Sequence, residues 1–149
     1  MNDLSHLKGA TVLVTGATGF IGSHLVDSLL LFDCNVHCLV RKSSNLRWIK
    51  SSRVQLHFVD LADTDFKIPN LSSLDFVFHC AGLTKAKNRK EYFYINSTVC
   101  SSLYEQCLNY KDSIKGIVHL SSLAAAGPGK DGQWVDEATV LNPITFYGQ

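Results

Sequence analysis

Short apolar runs alternate along the chain with longer segments whose apolar residues recur at helical spacing. Ala10-Thr11-Val12-Leu13-Val14-Thr15 is β-branched and continuously apolar, the pattern of a strand covered on both faces. Residues 36–40, 54–59, 76–80 and 116–120 supply four further strands, the second of these alternating with period two. A helix is predicted over 20–32, where Ile21, Leu25, Leu29 and Val26, Leu30 repeat every fourth residue. A longer one is predicted over 90–109, with a stripe of Tyr92, Ile95/Asn96, Val99, Leu103 and Cys107. A weaker helix is predicted around 46–49. Strand–helix–strand alternation requires crossover connections and so parallel pairing, with helices on both faces. The expected fold is α/β: a doubly wound parallel sheet of Rossmann type, strand order 3-2-1-4-5.

Composition agrees with one folded domain. The chain has 149 residues, 46% of them hydrophobic and 10% aromatic, with only three prolines, which excludes disordered and fibrous classes. Its 14 basic and 13 acidic side chains leave a net charge of +1, so nucleic acid and anionic membrane are not expected partners. No apolar run approaches the roughly 20 residues that span a bilayer. The N-terminus lacks the basic and apolar regions of a secretory signal, and a soluble, cytoplasmic protein is expected. Five cysteines without Cys-x-x-Cys spacing predict free thiols, with neither a metal site nor a disulfide framework.

Between the first strand and first helix lies Thr15-Gly16-Ala17-Thr18-Gly19-Phe20-Ile21-Gly22. Glycines so spaced gain meaning from a strand before them and a helix after them. Gly16 permits a tight turn, Gly19 a close backbone approach to a pyrophosphate, and Gly22 close packing of helix on sheet. The helix N-terminus then offers free N–H groups and a positive dipole end to the anion.

Residues 15–25, Thr-Gly-Ala-Thr-Gly-Phe-Ile-Gly-Ser-His-Leu, resemble the nucleotide-binding segment of the extended short-chain dehydrogenase/reductases. That family includes nucleotide-sugar epimerases and dehydratases, dihydroflavonol-4-reductase-like enzymes and 3β-hydroxysteroid dehydrogenases, and the resemblance runs along essentially the whole chain. It implies that Gly16, Thr18, Gly19, Phe20, Ile21 and Gly22 form the cofactor turn.

The end of the second strand bears on which nicotinamide cofactor is used. An NAD site of this fold commonly carries an acidic residue there, for the ribose 2′-hydroxyl. Here Arg41-Lys42-Ser43 stands instead, and a guanidinium can hold a 2′-phosphate that a carboxylate would repel. Arg41 therefore favours NADP; an ordinary solvated basic loop is the alternative, and some relatives with arginine here use NAD. The resemblance also implies that Asp60 meets the adenine amino group and Leu61 packs on the ring, although Asp60 could instead cap a helix before Asp63. Ala81 and Gly82 match the family's small-residue segment beside the nicotinamide ribose.

Ser122 ends the fifth strand and Tyr147 follows 25 residues later, in Phe146-Tyr147-Gly148-Gln149. The resemblance assigns Ser122 to polarise the substrate oxygen and Tyr147 to transfer the proton, as the tyrosine of Tyr-x-x-x-Lys. A free phenol has a pKa of about 10, and the family's lysine lowers it. Asn96 lies on the apolar stripe of the long helix, so its amide needs partners. It is either a third catalytic residue, bracing the fourth strand and a proton relay, or a purely structural buried asparagine.

The matching lysine would be residue 151, and family members are roughly twice this length. The chain is therefore expected to be the N-terminal part of an NAD(P)-binding Rossmann domain, truncated and inactive by itself. An exposed fifth-strand edge would favour association, including a homo-oligomer. A small-molecule substrate is expected. Lys85, Lys87, Arg89 and Lys90 could attract a phosphorylated one, though a solvated loop explains them more simply. Three functions stay open: an NADP-dependent reductase or dehydrogenase, a nucleotide-sugar epimerase or dehydratase retaining NAD, and a non-catalytic dinucleotide sensor.

Overall fold

The structure, a computed structural model, describes residues 4–69, 73–129, 132 and 134–149. Five strands form one sheet: β1 (Thr11–Thr15), β2 (Asn35–Val40), β3 (Gln55–Phe58), β4 (Phe76–His79) and β5 (Gly116–His119). Their order is β3-β2-β1-β4-β5 and all four pairings are parallel. This is the doubly wound order expected from the alternation of strands and helices.

Alternating side chains of β1 supply both cores. Val12 and Val14 join Val36, Cys38 and Val40 on one face, where α1 (Phe20–Leu31) contributes Val26, Leu29 and Leu30. Leu13 faces the other way with Leu39, Val77 and Leu74. That side is covered by α3 (Val99–Cys107), through Cys107 and, next to Phe66, through Val99 and Leu103. Burial on both faces explains why β1 and β2 read as continuous apolar runs.

Two predicted helices differ from the observed ones. Residues 46–49 form a turn and not a helix: Asn45 Oδ1 accepts the Arg47 N–H at 3.0 Å, and Ile49 N–H bonds Leu46 O at 2.9 Å. The turn is not continued beyond Ile49, so no helix forms. Leu46 and Ile49 still pack on the α1-side core, which accounts for their spacing. The long helix is also not uniform. It runs as α2 (Arg89–Phe93), a π turn (Tyr94–Thr98), α3 and a 3₁₀ turn (Leu108–Tyr110). Asn88 caps it, its side chain accepting the Glu91 N–H at 3.0 Å.

A short helix α4 (Leu123–Ala126) follows β5. In the segment that follows, residues 130, 131 and 133 lie outside the described residues. No helix among the described residues is long and apolar enough to cross a membrane.

Candidate functional site

The turn between β1 and α1 cannot be built without two of its glycines. Gly16 has φ +69°, and a Cβ there would lie 2.5 Å from Ala81 N and 2.6 Å from Cys80 C. The turn thus lies directly against the backbone that leaves β4. A Cβ on Gly22 would overlap the Gly16 carbonyl, so the helix packs on the turn itself. Gly19 stands where the turn passes into α1. Its own N–H is taken by Gly16 O at 3.0 Å. The first helical bond runs from Ser23 N–H to Gly19 O, which leaves Phe20, Ile21 and Gly22 as the orphan donors of the helix end. Gly19 is the N-cap and offers no side chain to them. Phe20 and Ile21 are exposed and Thr18 is half-buried, so this end of α1 is open to solvent. An open helix N-terminus on a turn with no room for a Cβ at Gly16 or Gly22 fits the pyrophosphate of a dinucleotide.

The other predicted cofactor residues surround the same end of the sheet. Arg41 directly follows β2 in a tight turn: its N–H bonds Ser44 Oγ at 3.0 Å and its carbonyl accepts the Ser44 N–H at 2.9 Å. Its side chain is exposed and enters no ion pair among the described residues. Asp60, after β3, closes a turn by accepting the Ala62 N–H at 3.0 Å. No helix follows, so Asp60 does not cap one. Leu61 is half-buried and packs into the α3-side core with Val59 and Ile68. Ala81 and Gly82 lie where the chain leaves β4.

Ala81 and Gly82 also line a cleft of about 200 Å³ together with Asn96, Ser122 and Tyr147. The three predicted catalytic residues, separated in sequence, therefore share one cavity with the backbone that meets the glycine turn. Ser122 is the N-cap of α4, and its Oγ accepts the Ala124 N–H at 3.2 Å. Since it accepts there, its own O–H remains free to donate. Tyr147 is half-buried, with its ring 6.0 Å from that of Tyr92. Asn96 clamps the loop after β4: its Oδ1 accepts Leu83 N–H at 2.7 Å and its Nδ2 donates to Leu83 O at 3.0 Å.

Behind the cleft lies a buried polar chain that the sequence reading missed. Thr15, on β1, accepts the Ala81 N–H at 3.2 Å and lies 2.6 Å from His79 Nδ1. His79 Nε2 lies 3.0 Å from Cys100 Sγ, and Cys100 donates to Asn96 O at 3.2 Å. In the assignment that satisfies every member, Thr15 O–H donates to Nδ1 and His79 donates from Nε2 to sulfur. Burial, and secondarily His119, holds the His79 pKa down to about 4, so its ring is neutral at pH 7. Burial raises the Cys100 thiol pKa. A sequence signal existed: Thr15, His79 and His119 are polar ends of apolar strands, and pairing sets them side by side. Arg89 is exposed, as a solvated position requires, and stacks its guanidinium on Phe93 at 5.0 Å and Phe146 at 5.5 Å, tying the α2 start to the Tyr147 segment.

A glycine turn on a parallel sheet, opening beside a serine–tyrosine cleft, defines a dinucleotide-binding protein of the extended short-chain dehydrogenase/reductase class. The model of the NAD dependent epimerase/dehydratase family matches residues 12–149, and the chain belongs to that family. It is 30% identical to a Mus musculus sterol-4-alpha-carboxylate 3-dehydrogenase, decarboxylating, over 98% of this chain and 39% of that protein. The crystal structure of a UDP-galactose 4-epimerase superposes with a TM-score of 0.77 and 28% identity, covering 93% of this chain and 46% of that one. MoeE5, solved in complex with UDP-glucose and NAD, superposes at 0.73 with 27% identity, over 93% of this chain and 44% of that one. The chain thus spans less than half the length of each of these relatives.

Proposed function

We propose that the chain carries the dinucleotide site and part of the active site of an NAD(P)-dependent oxidoreductase acting on a carbonyl or secondary alcohol. The observation that carries this reading is the shared cleft. Ser122 and Tyr147 line it together with Ala81, whose backbone N lies where a Cβ on Gly16 would collide. Gly16, Thr18, Gly19, Phe20, Ile21 and Gly22 would hold the pyrophosphate, Arg41 a 2′-phosphate, and Ala81 and Gly82 the nicotinamide ribose. When bound, the dinucleotide supplies hydride chemistry.

The chain's own residues handle the proton. Ser122 donates its free O–H to the substrate oxygen, and Tyr147 gives that oxygen a proton on reduction or takes one on oxidation. Asn96 acts at one remove, fixing the Leu83 backbone at the rim of the cleft. No lysine within the chain stands four residues beyond Tyr147 to favour the phenolate. The 149-residue polypeptide should therefore bind dinucleotide without turning over substrate. Arg41 makes NADP the favoured cofactor in this reading.

Titration of NADPH and NADH tests the assignment, with Arg41→Ala alongside and turnover compared with a chain extended beyond Gln149. NADPH should bind more tightly, and Arg41→Ala should weaken it by about tenfold while sparing NADH. Equal weakening of both would remove the 2′-phosphate argument, and equal turnover by the two chain lengths would remove the inactivity. A second reading, an epimerase or dehydratase that retains NAD, draws on the likeness to UDP-galactose 4-epimerase. Dinucleotide absorbance persisting through purification would favour it.

A further inference from the structure

Parallel pairing sets Thr15, His79 and His119 in one row across β1, β4 and β5. The helix above the row contributes Cys100, whose place is set by the π turn just before α3. One donor atom each from His79, Cys100 and His119 lies within 4.8 Å of the others. Of these, His79 Nε2 and Cys100 Sγ are 3.0 Å apart. The rings of His79 and His119 are 5.3 Å apart.

We propose that His79, Cys100 and His119 are the three protein ligands of a site for a borderline-soft divalent cation of the zinc class, at the wall of the cleft. Two imidazoles and a thiolate suit such an ion and are poor ligands for magnesium or calcium. Zinc–nitrogen bonds of about 2.0 Å and a zinc–sulfur bond of about 2.3 Å set tetrahedral ligands roughly 3.3–3.6 Å apart. The set must open slightly between His79 and Cys100 and draw His119 inward. His119 is exposed at the edge strand and belongs to neither core, so no core packing opposes that movement.

The surroundings supply what oriented ligands need. Thr15 Oγ1 lies 2.6 Å from His79 Nδ1. With Nδ1 protonated, the threonine oxygen accepts from it as well as from Ala81 N–H, and the Nε2 lone pair is freed for the ion. The Tyr104 hydroxyl bonds His119 Nδ1 and steadies that ring. Cys100 and His119 both line the cleft, which gives the ion an entry path and leaves a fourth position for water or another ligand. On binding, the Cys100 S–H proton passes to solvent and the sulfur lone pair forms the bond to the ion; no electron is transferred. Cysteine spacing alone gave no sign of such a site, because two of its ligands are histidines brought together only by the sheet. The proposal does not depend on the oxidoreductase reading.

Cobalt(II) added to the chelator-treated chain provides the test, since a cobalt–thiolate bond has its own charge-transfer absorption. One equivalent should give that band together with the visible bands of a four-coordinate site, and zinc should abolish both. Cys100→Ser should remove the charge-transfer band. His119→Ala, at an exposed position, should weaken zinc binding by at least about tenfold, measured against a chromophoric chelator. Its metal-free circular dichroism should match the parent, which separates ligand loss from unfolding. No charge-transfer band would overturn the proposal, as would a band that survives Cys100→Ser or disappears with Cys80→Ser instead. Unchanged zinc affinity in His119→Ala would also overturn it.

Discussion

His37 on β2 and His57 on β3 stack with ring centroids 5.1 Å apart and an interplanar angle of 17°, joined by a 2.8 Å contact from Nδ1 to Nε2. One nitrogen donates and the other accepts, so the pair requires at least one neutral ring. Burial, and for His37 also the neighbouring His57, lowers both pKa values below the ordinary 6.5. The unfolded chain therefore takes up these protons at a higher pH than the folded chain. Stability contributed by the pair is complete above about 6.5 and is lost as pH falls toward the folded-state values. Asp75, whose pKa is lowered chiefly by its hydrogen bond to Lys115, acts only below the carboxylate range and does not confuse this window. His79, held down to about 4, adds to the same fall, so urea midpoints should fall between pH 7.5 and 5.5 and His57→Gln should reduce that fall without abolishing it; a midpoint independent of pH would contradict the account. The pairing was not legible in the sequence. Gly16 and Gly22 were, because the positive φ of the one and the contact of the other with the Gly16 carbonyl are local to the turn, whereas two histidines 20 residues apart meet only through strand register.

At the scale of elements, the five strands and two main helices could be read from apolar periodicity, since each buries a continuous run or stripe. The π turn could not. Val99, Leu103 and Cys107 are buried at the expected spacing, so the stripe is preserved while the backbone widens just before it. What the wider turn achieves is local: Asn96 meets Leu83 and Cys100 meets His79. Such turns recur at functional sites, where an added residue re-aims side chains without breaking the helix. Asn96→Ala should leave the Leu83 N–H and C=O without their side-chain partner and cost about 1–3 kcal/mol by urea denaturation. Hydrogen exchange at the Leu83 amide should accelerate in the variant more than exchange in β1. Asn96→Asp, which keeps the acceptor and loses the donor, should fall between parent and alanine. Uniform acceleration across β1 and Leu83 would mean that Asn96 supports the whole fold and not this loop.

For the whole molecule, the two sheet edges are unequal. On the β3 side, Leu46 and Ile49 of the segment that leads into β3 pack on the α1-side core. At the other edge, no described strand pairs beyond β5, and both of its faces are open. Ile117 and Val118 point to opposite faces, and at 42% and 52% exposure each leaves apolar surface uncovered, with Leu120 and Leu123 following. An unpaired edge with apolar faces is a template for another strand or another chain. The 149-residue chain should self-associate, its weight-average mass in sedimentation equilibrium rising with concentration. Charged residues at these positions should weaken pairing at the edge while leaving the α1- and α3-side cores untouched. Ile117→Lys combined with Val118→Lys should return the chain toward the monomer with an unchanged thermal midpoint. A parent that stays monomeric across the concentration range would show that this edge is not an association surface. If the double variant still associates, the contact lies elsewhere, and the exposed Trp134 and Val140 are the next residues to replace.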